Sequence, residues 1–329
     1  LDFLRQEFLD ILDSKNMMRD ALERFPEQFL FQPVIENAEA LVRGKQLVIC
    51  GMGGSHLSAD VFNMIAPGQI RAIHSDYGLP ELSDAEKYLY VMSSYSGNTE
   101  EVMESYELAR AAGLDMCAMA VGGALIERAM ADGVPYIQFP SVGLQPRAAL
   151  GYGVMALAAF TGVDFPAPQC DIFAAREQGE KLAQDLIGKI PLVYASGRNG
   201  ALAQNWKIKF NENTKIPAFW NTVPELNHNE MTGFDIVDAT HELSEKFFVI
   251  MLRDSDDHAR NARRFEITRD LYLARGVMVY EVALAGATRS DKIFASLMLA
   301  DWTSVLLGEH YGVETELVPM VEEFKKMIK

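Results

Sequence analysis

The sequence is short of most of what familiar catalytic centres are built from. It has only three cysteines, Cys50, Cys117 and Cys170, and their spacing matches neither a disulfide framework nor a metal-binding pattern. Cys50 and Cys117 fall in apolar runs where a buried thiol is ordinary, so a reducing cytoplasmic setting is expected. Of six histidines, His56, His74, His241, His258 and His310 show no H-x-x-x-H or Cys/His spacing, so neither a metal nor any other cofactor is expected. Basic residues are scarce, 30 against 46 acidic for a net charge of −16. That field repels nucleic acid and anionic lipid at long range, so no nucleic-acid partner is expected. No apolar run is long enough to span a bilayer: the longest, Ala148 to Val163, follows Arg147 and is broken by glycines, and the first residues do not read as a secretory signal. Glycine and proline are scattered and low-complexity tracts are absent, which excludes disordered and fibrous classes.

The 329 residues suffice for two domains with separate cores. In the first half, apolar runs at Gln46 to Cys50, Ile70 to His74, Tyr88 to Met92, Met116 to Val121 and Tyr136 to Phe139 alternate with helical patterns at Ser55 to Ile65, Thr99 to Ala112, Ala124 to Ala131 and Arg147 to Thr161. Such alternation predicts a parallel sheet with helices on both faces. A further helix is expected over roughly Asp2 to Phe25. The prolines of Asp164-Phe165-Pro166-Ala167-Pro168 interrupt the pattern and set the expected boundary between a domain over 1–163, including that helix, and a second over 164–329. In the second, strands are expected at Pro191 to Ala195, Phe247 to Leu252 and Val277 to Val282, with helices at Ala201 to Glu212, Ala259 to Ala274 and Ile293 to Tyr311. Leu47 to Gly53 and Leu192 to Arg198 echo each other, as in a duplicated fold.

Two small-residue loops stand out, Gly51-Met52-Gly53-Gly54-Ser55 and Ser93-Ser94-Tyr95-Ser96-Gly97-Asn98-Thr99. Each follows an expected strand and precedes an expected helix, the arrangement that aims free backbone N–H groups and a helix dipole at an anion. The first loop fails as a dinucleotide fingerprint because His56 stands where the third glycine is needed, and it lacks the Gly-Lys-Ser/Thr ending of a P-loop. The second gathers the hydroxyls of Ser94, Ser96 and Thr99 around Gly97, enough to hold an oxyanion without lysine, although a plain Ser-Gly-Asn turn would look the same. Because the overall field opposes an anion, placed cations are needed, and Arg147, expected to open a helix after Pro146, is one; a surface salt bridge is its other reading. Glu212 is expected at a helix C-terminus, where the dipole disfavours its charge. His228 lies in the polar loop Asn227-His228-Asn229-Glu230, where imidazole suits proton transfer.

These segments, with Pro146-Arg147-Ala148-Ala149-Leu150, Phe210-Asn211-Glu212-Asn213 and Pro224-Glu225-Leu226-Asn227-His228-Asn229, resemble the SIS-domain sugar-phosphate isomerases, and among them the bifunctional phosphoglucose/phosphomannose isomerases. The resemblance runs over most of the chain. It implies two flavodoxin-like SIS domains, each a parallel sheet flanked by helices, and a homodimer with an active site between domains and across the subunit interface. It implies interconversion of glucose 6-phosphate, and of mannose 6-phosphate, with fructose 6-phosphate through a cis-enediolate, without cofactor. By resemblance Glu212 is the base, His228 assists ring opening from the neighbouring subunit, and Arg147 faces the enediolate. Gly53, Gly54, Ser55, Ser94, Ser96 and Thr99 hold the phosphate and adjacent hydroxyls. The sequence departs from the family pattern at His56, where a glycine commonly ends the first motif, and at Leu306, where family members often carry a polar or basic residue on the last helix. A non-catalytic SIS sensor, or an isomerase of another sugar phosphate, is the competing reading.

Overall fold

The computed structural model describes residues 17–328, which divide into two units, Arg24–Ala167 and the chain from Pro168 onward together with residues 17–23.

The first unit holds a five-stranded parallel sheet in the order β2-β1-β3-β4-β5: β1 Leu47–Gly51, β2 Ile70–His74, β3 Leu89–Ser93, β4 Met116–Ala120 and β5 Tyr136–Gln138. Every residue of β1, β3 and β4 is buried, because helices cover both faces of a parallel sheet; this is why these strands are continuous apolar runs. The helices are α1 Gly54–Ile65, α2 Glu100–Ala111, α3 Gly123–Asp132 and α4 Leu150–Thr161. The expected helix start at Arg147 is corrected: Pro146–Ala148 form a separate 3-10 turn and Ala149 breaks from helical geometry.

The second unit repeats the design with four parallel strands in the order β7-β6-β8-β9: β6 Ile190–Ser196, β7 Phe219–Val223, β8 Phe247–Arg253 and β9 Met278–Ala283. Both sheets share the flavodoxin-like order 2-1-3-4, the first adding a fifth strand. The helices are α5 Ile172–Asp185, α6 Gly200–Lys209, α7 Ala259–Leu273, α8 Arg289–His310 and α9 Pro319–Ile328. α8 is the spine. Seventeen of its 22 residues are buried, and it starts earlier than its apolar pattern suggests because Thr288 and Asp291 form a reciprocal capping box.

Some elements were hidden in the sequence. β7 is a sheet edge with Phe219 and Trp220 partly exposed to solvent, so it lacks the all-apolar signature. α5 carries Gly179 mid-helix, a residue that argues against a helix. The structure gives the reason: a Cβ there would lie 2.8 Å from the Trp302 Cβ and 3.0 Å from the Thr303 nitrogen, so α5 and α8 approach too closely for a side chain.

The junction falls after Ala167, where Phe165 is buried and stacks on Phe29 at 6.2 Å. Of the helix expected over Asp2 to Phe25, residues 2–16 lie outside the described residues; 17–23 are helical and group with the second unit, not the first. Arg19 donates two hydrogen bonds to the Glu309 carboxylate, at 2.7 and 2.5 Å, while Met18 and Leu22 are buried.

Gly179→Ala is expected to destabilise the protein by about 1–2 kcal/mol, an overpacking cost of about 1–3 kcal/mol partly offset by helix propensity. Urea unfolding measures it; a midpoint at or above the wild type would show that the two helices can separate freely.

Candidate active site

In an open parallel sheet, ligands bind at the carboxyl ends of strands where the connections diverge. In the first unit that point lies between β1 and β3, because β1 leads to β2 on one side and β3 to β4 on the other. Both small-residue loops end there, and hydrogen bonds join them. The Tyr95 N–H donates to Ser55 Oγ at 2.8 Å, and Ser93 Oγ donates to the Ser55 carbonyl at 2.7 Å.

Glycine is a steric requirement at several points of this cradle. Gly53 has φ +50°, a region side chains rarely adopt. A Cβ on Gly54 would stand 2.6 Å from Pro146 Cβ and 3.0 Å from the Arg147 nitrogen, so the Pro146–Ala148 turn closes directly over the start of α1. Gly97 has φ +73°, and a Cβ there would fall 1.7 Å from the Gly122 carbonyl oxygen.

The hydroxyls divide their work. Ser94 is buried and shapes the loop: its Oγ accepts from the Gly97 N–H at 3.0 Å and from the Thr99 N–H at 3.4 Å, and pairs with Thr99 Oγ1 at 2.7 Å. Thr99 precedes α2 without capping it through its side chain, because that hydroxyl is engaged with Ser94. Ser96 is exposed, its Oγ accepting from the Asn98 N–H at 3.3 Å. The first turn of α2 adds N–H groups of the kind a helix start leaves unpaired, whereas at α1 the Ser55 and His56 N–H groups already donate to the Met52 and Gly53 carbonyls at 3.0 and 3.4 Å. Beside the cradle is a small cavity lined by Gly54, Ser55, Ser93, Tyr95, Phe139 and Pro146 among others.

Arg147 belongs to the same unit and is 1% exposed, which removes the surface salt bridge as its role. His56 is held differently from the glycine it stands in for: its Nδ1 lies 2.7 Å from Asp60 Oδ2 one turn along α1. The thiols offer no ready nucleophile, since burial pushes Cys50 and the half-buried Cys170 up to about 12 and buried Cys117 well above its ordinary value.

Glu212 and His228 belong to the second unit. Glu212 does not end an α-helix; α6 stops at Lys209 and the chain continues as a π turn, Phe210–Thr214, closed by Lys215 at φ +60°. Glu212 is half-buried between buried Asn213 and Thr214 on one side and half-buried Asn211 on the other. Single π turns are rare and concentrate at functional sites. His228 is exposed and ends a 3-10 turn, Glu225–His228, after a cis Val223–Pro224 bond. Leu306 is half-buried on α8.

The second unit's own divergence point, between β6 and β8, is filled by protein charge. Buried Asp254 accepts from Lys292 Nζ at 2.9 Å, Arg289 Nη1 at 2.7 Å and Asn199 Nδ2 at 3.2 Å. Burial opposes that carboxylate's charge, but the Lys292, backbone and Asn199 hydrogen bonds outweigh it and hold the group below its usual range. Among the described residues no His, Cys, Asp and Glu are grouped so as to hold a metal ion, and no helix is long and apolar enough to cross a membrane.

A model of the bacterial phospho-glucose isomerase C-terminal SIS domain matches residues 175–328. A bifunctional phosphoglucose/phosphomannose isomerase of Aquifex aeolicus is 31% identical over 319 residues, 94% of this chain and 97% of its own. Another, of Caldicellulosiruptor bescii, is 33% identical over 86% of this chain and 89% of its own. The chain belongs to the bifunctional phosphoglucose/phosphomannose isomerase family. A glucosamine-6-phosphate deaminase structure from Thermotoga maritima superposes with a TM-score of 0.62 at 16% identity, covering 94% of this chain and 96% of its own; the two share a fold.

Within this bifunctional isomerase family member, sequence reasoning overlooked Tyr95, which lines the cavity and ties the loops through its N–H. It also missed Asn98, whose Oδ1 accepts from the Ala124 N–H at 3.1 Å and so anchors the serine loop to α3. The Ser-Gly-Asn turn chemistry carried a signal for Asn98, whereas nothing in the sequence marks Tyr95.

Gly97→Ala should displace the serine loop and weaken sugar-phosphate binding by at least ~10-fold, the equivalent of one lost hydrogen bond to a charged group. Titration calorimetry reads the change against Gly233→Ala, where the added Cβ meets nothing within 4 Å. Equal affinities in the two variants would mean that the loop does not hold the anion.

Proposed function

We propose that this chain is an aldose–ketose isomerase that interconverts glucose 6-phosphate, and mannose 6-phosphate, with fructose 6-phosphate. The observation that carries the reading is Glu212 on a π turn flanked by buried, hydrogen-bonded residues, in a chain whose first unit joins two hydroxyl- and glycine-rich loops at the ends of β1 and β3. A module that only sensed sugar phosphate would need the cradle but no fixed carboxylate.

In the proposed mechanism the phosphate rests on the Gly53-Gly54-Ser55 loop and the Ser94, Ser96 and Thr99 loop. Helix-start N–H groups supply the attraction that a net charge of −16 cannot. His228, contributed by the other subunit of a homodimer, transfers the proton that opens the sugar ring. The Glu212 carboxylate removes the proton from C2; the C–H electron pair forms the C1–C2 double bond as the C1 carbonyl becomes the second enediolate oxygen. Arg147 offsets the negative charge on those oxygens, a contribution of about 1.5–3 kcal/mol for a charged hydrogen bond. The C2 hydroxyl proton passes to the C1 oxygen, and as the C2 oxygen becomes the ketone the electron pair of the double bond takes the proton back from Glu212 at C1. Rotation about C2–C3 in the intermediate would expose either face of C2 to one base, which is how glucose and mannose epimers could share it.

Unpaired cysteines suit a reducing compartment, and we place the enzyme in the cytoplasm on that ground. A coupled assay for fructose 6-phosphate is the direct test: turnover of either hexose phosphate supports the reading, while tight binding without turnover leaves a sensor. Glu212→Gln should lower kcat by at least ~10², the usual contribution of a general base, and a rate near wild type would remove Glu212 from the mechanism.

A further inference from the structure

We infer that Ser304, in the middle of α8, is the positioning residue for the proposed base. The inference rests on the reading of Glu212 as that base and adds what holds it. A π turn spends backbone hydrogen bonds less favourably than an α-helix and is rare, so the surroundings must over-determine this one. They do so from α8. Ser304 Oγ accepts from Asn213 Nδ2 at 2.8 Å and donates to the Asp301 carbonyl at 3.0 Å, so both of its hydrogen-bonding roles are filled and its orientation is fixed. The Ser304 carbonyl in turn accepts from Thr214 Oγ1 at 2.7 Å. One residue thus holds the two positions that follow Glu212.

Three residues of α8 share this task at helical spacing. Asp301 accepts from Lys209 Nζ at 2.7 and 2.8 Å, with both side chains buried, and so pins the end of α6 where the π turn begins. Ser304 holds the turn, and Gly308 lets it approach, since a Cβ there would stand 2.7 Å from the Asn213 carbonyl oxygen. Positions 301, 304 and 308 lie on one face of a helix. Ser304 is 0% exposed, so it acts through Asn213 and Thr214 and not on the substrate. A base must reach its proton within hydrogen-bonding distance, and a displacement of about 1 Å can cost ~10² in rate. Substrate affinity would not change, because the phosphate cradle belongs to the other unit.

Ser304→Ala should therefore lower kcat for fructose 6-phosphate isomerisation by at least ~10-fold while KM stays within about twofold. Ser304→Cys, which keeps the shape with a weaker acceptor, should fall between them. In a double-mutant cycle, Asn213→Ala with Ser304→Ala should lose no more than Asn213→Ala alone, because each variant already breaks the shared hydrogen bond from Asn213 Nδ2 to Ser304 Oγ. A kcat within about twofold of wild type in Ser304→Ala, a rise in KM in place of a fall in kcat, or additive losses in the cycle would each overturn the inference. Should circular dichroism show Ser304→Ala unfolded, the kcat and KM of Ser304→Cys decide by the same criteria. Glu212→Gln assayed in parallel separates the two claims: inactive Glu212→Gln with fully active Ser304→Ala removes Ser304 alone, whereas active Glu212→Gln removes the base and its positioning residue together.

Discussion

The buried ion pair between Lys209 and Asp301 is the constraint around which the second unit is arranged. Both side chains are almost fully shielded, 1% and 2% exposed, and the ammonium meets both carboxylate oxygens. Such a pair adds little net stability compared with apolar packing, but removing one partner strands a buried charge at a cost of about 3–5 kcal/mol. The pair therefore fixes geometry more than it adds stability: α6 and α8 have one register in which the charges meet. Trp206 Nε1 donating to Ser296 Oγ at 3.0 Å secures the same two helices further along. With that register set, the chain leaving α6 comes under Ser304 and Gly308, and the π turn bearing Glu212 follows from it.

The duplicated fold has put its two divergence points to opposite uses. In the first unit, glycines and hydroxyls line the ends of β1 and β3, and close approaches such as Gly97 against Gly122 keep side chains out. In the second, the corresponding point is occupied by Asp254 and its cations, with Ser196 Oγ donating to Asp257 Oδ1 at 2.5 Å beside it. Asp254 gathers there the kind of donors that an exogenous anion would otherwise recruit. The anion site proposed above lies at the first point, while the second unit uses the same topology to fix its own loops.

The first sheet was legible because parallel strands buried on both faces must be apolar throughout, so Leu47–Gly51 and Leu89–Ser93 announce themselves. Edge strand Phe219–Val223 was not, since one side of an edge meets solvent and its composition drifts. Gly179 concealed α5 for a related reason: the requirement it meets, contact with Trp302 and Thr303, lies 123 and 124 residues away in sequence and has no local trace. Glycine and serine loops could be read locally because turn chemistry and helix starts are local. The role of Ser304 could not, because Asp301, Ser304 and Gly308 look like ordinary residues of a long helix until the π turn is packed against them.

By itself, the sequence determined two parallel α/β units, a loop pair suited to an anion with no lysine, and the family to which the chain belongs. These follow from periodicity, backbone stereochemistry and motif, all properties of short stretches. Only the tertiary structure decided that Arg147 is buried in a turn outside the helix, that Ser94 shapes the loop from within, and that Glu212 sits on a π turn held by a distant helix. Each depends on which side chains meet across the fold, and close packing sets those meetings to within tenths of an ångström, a scale at which sequence spacing carries no information.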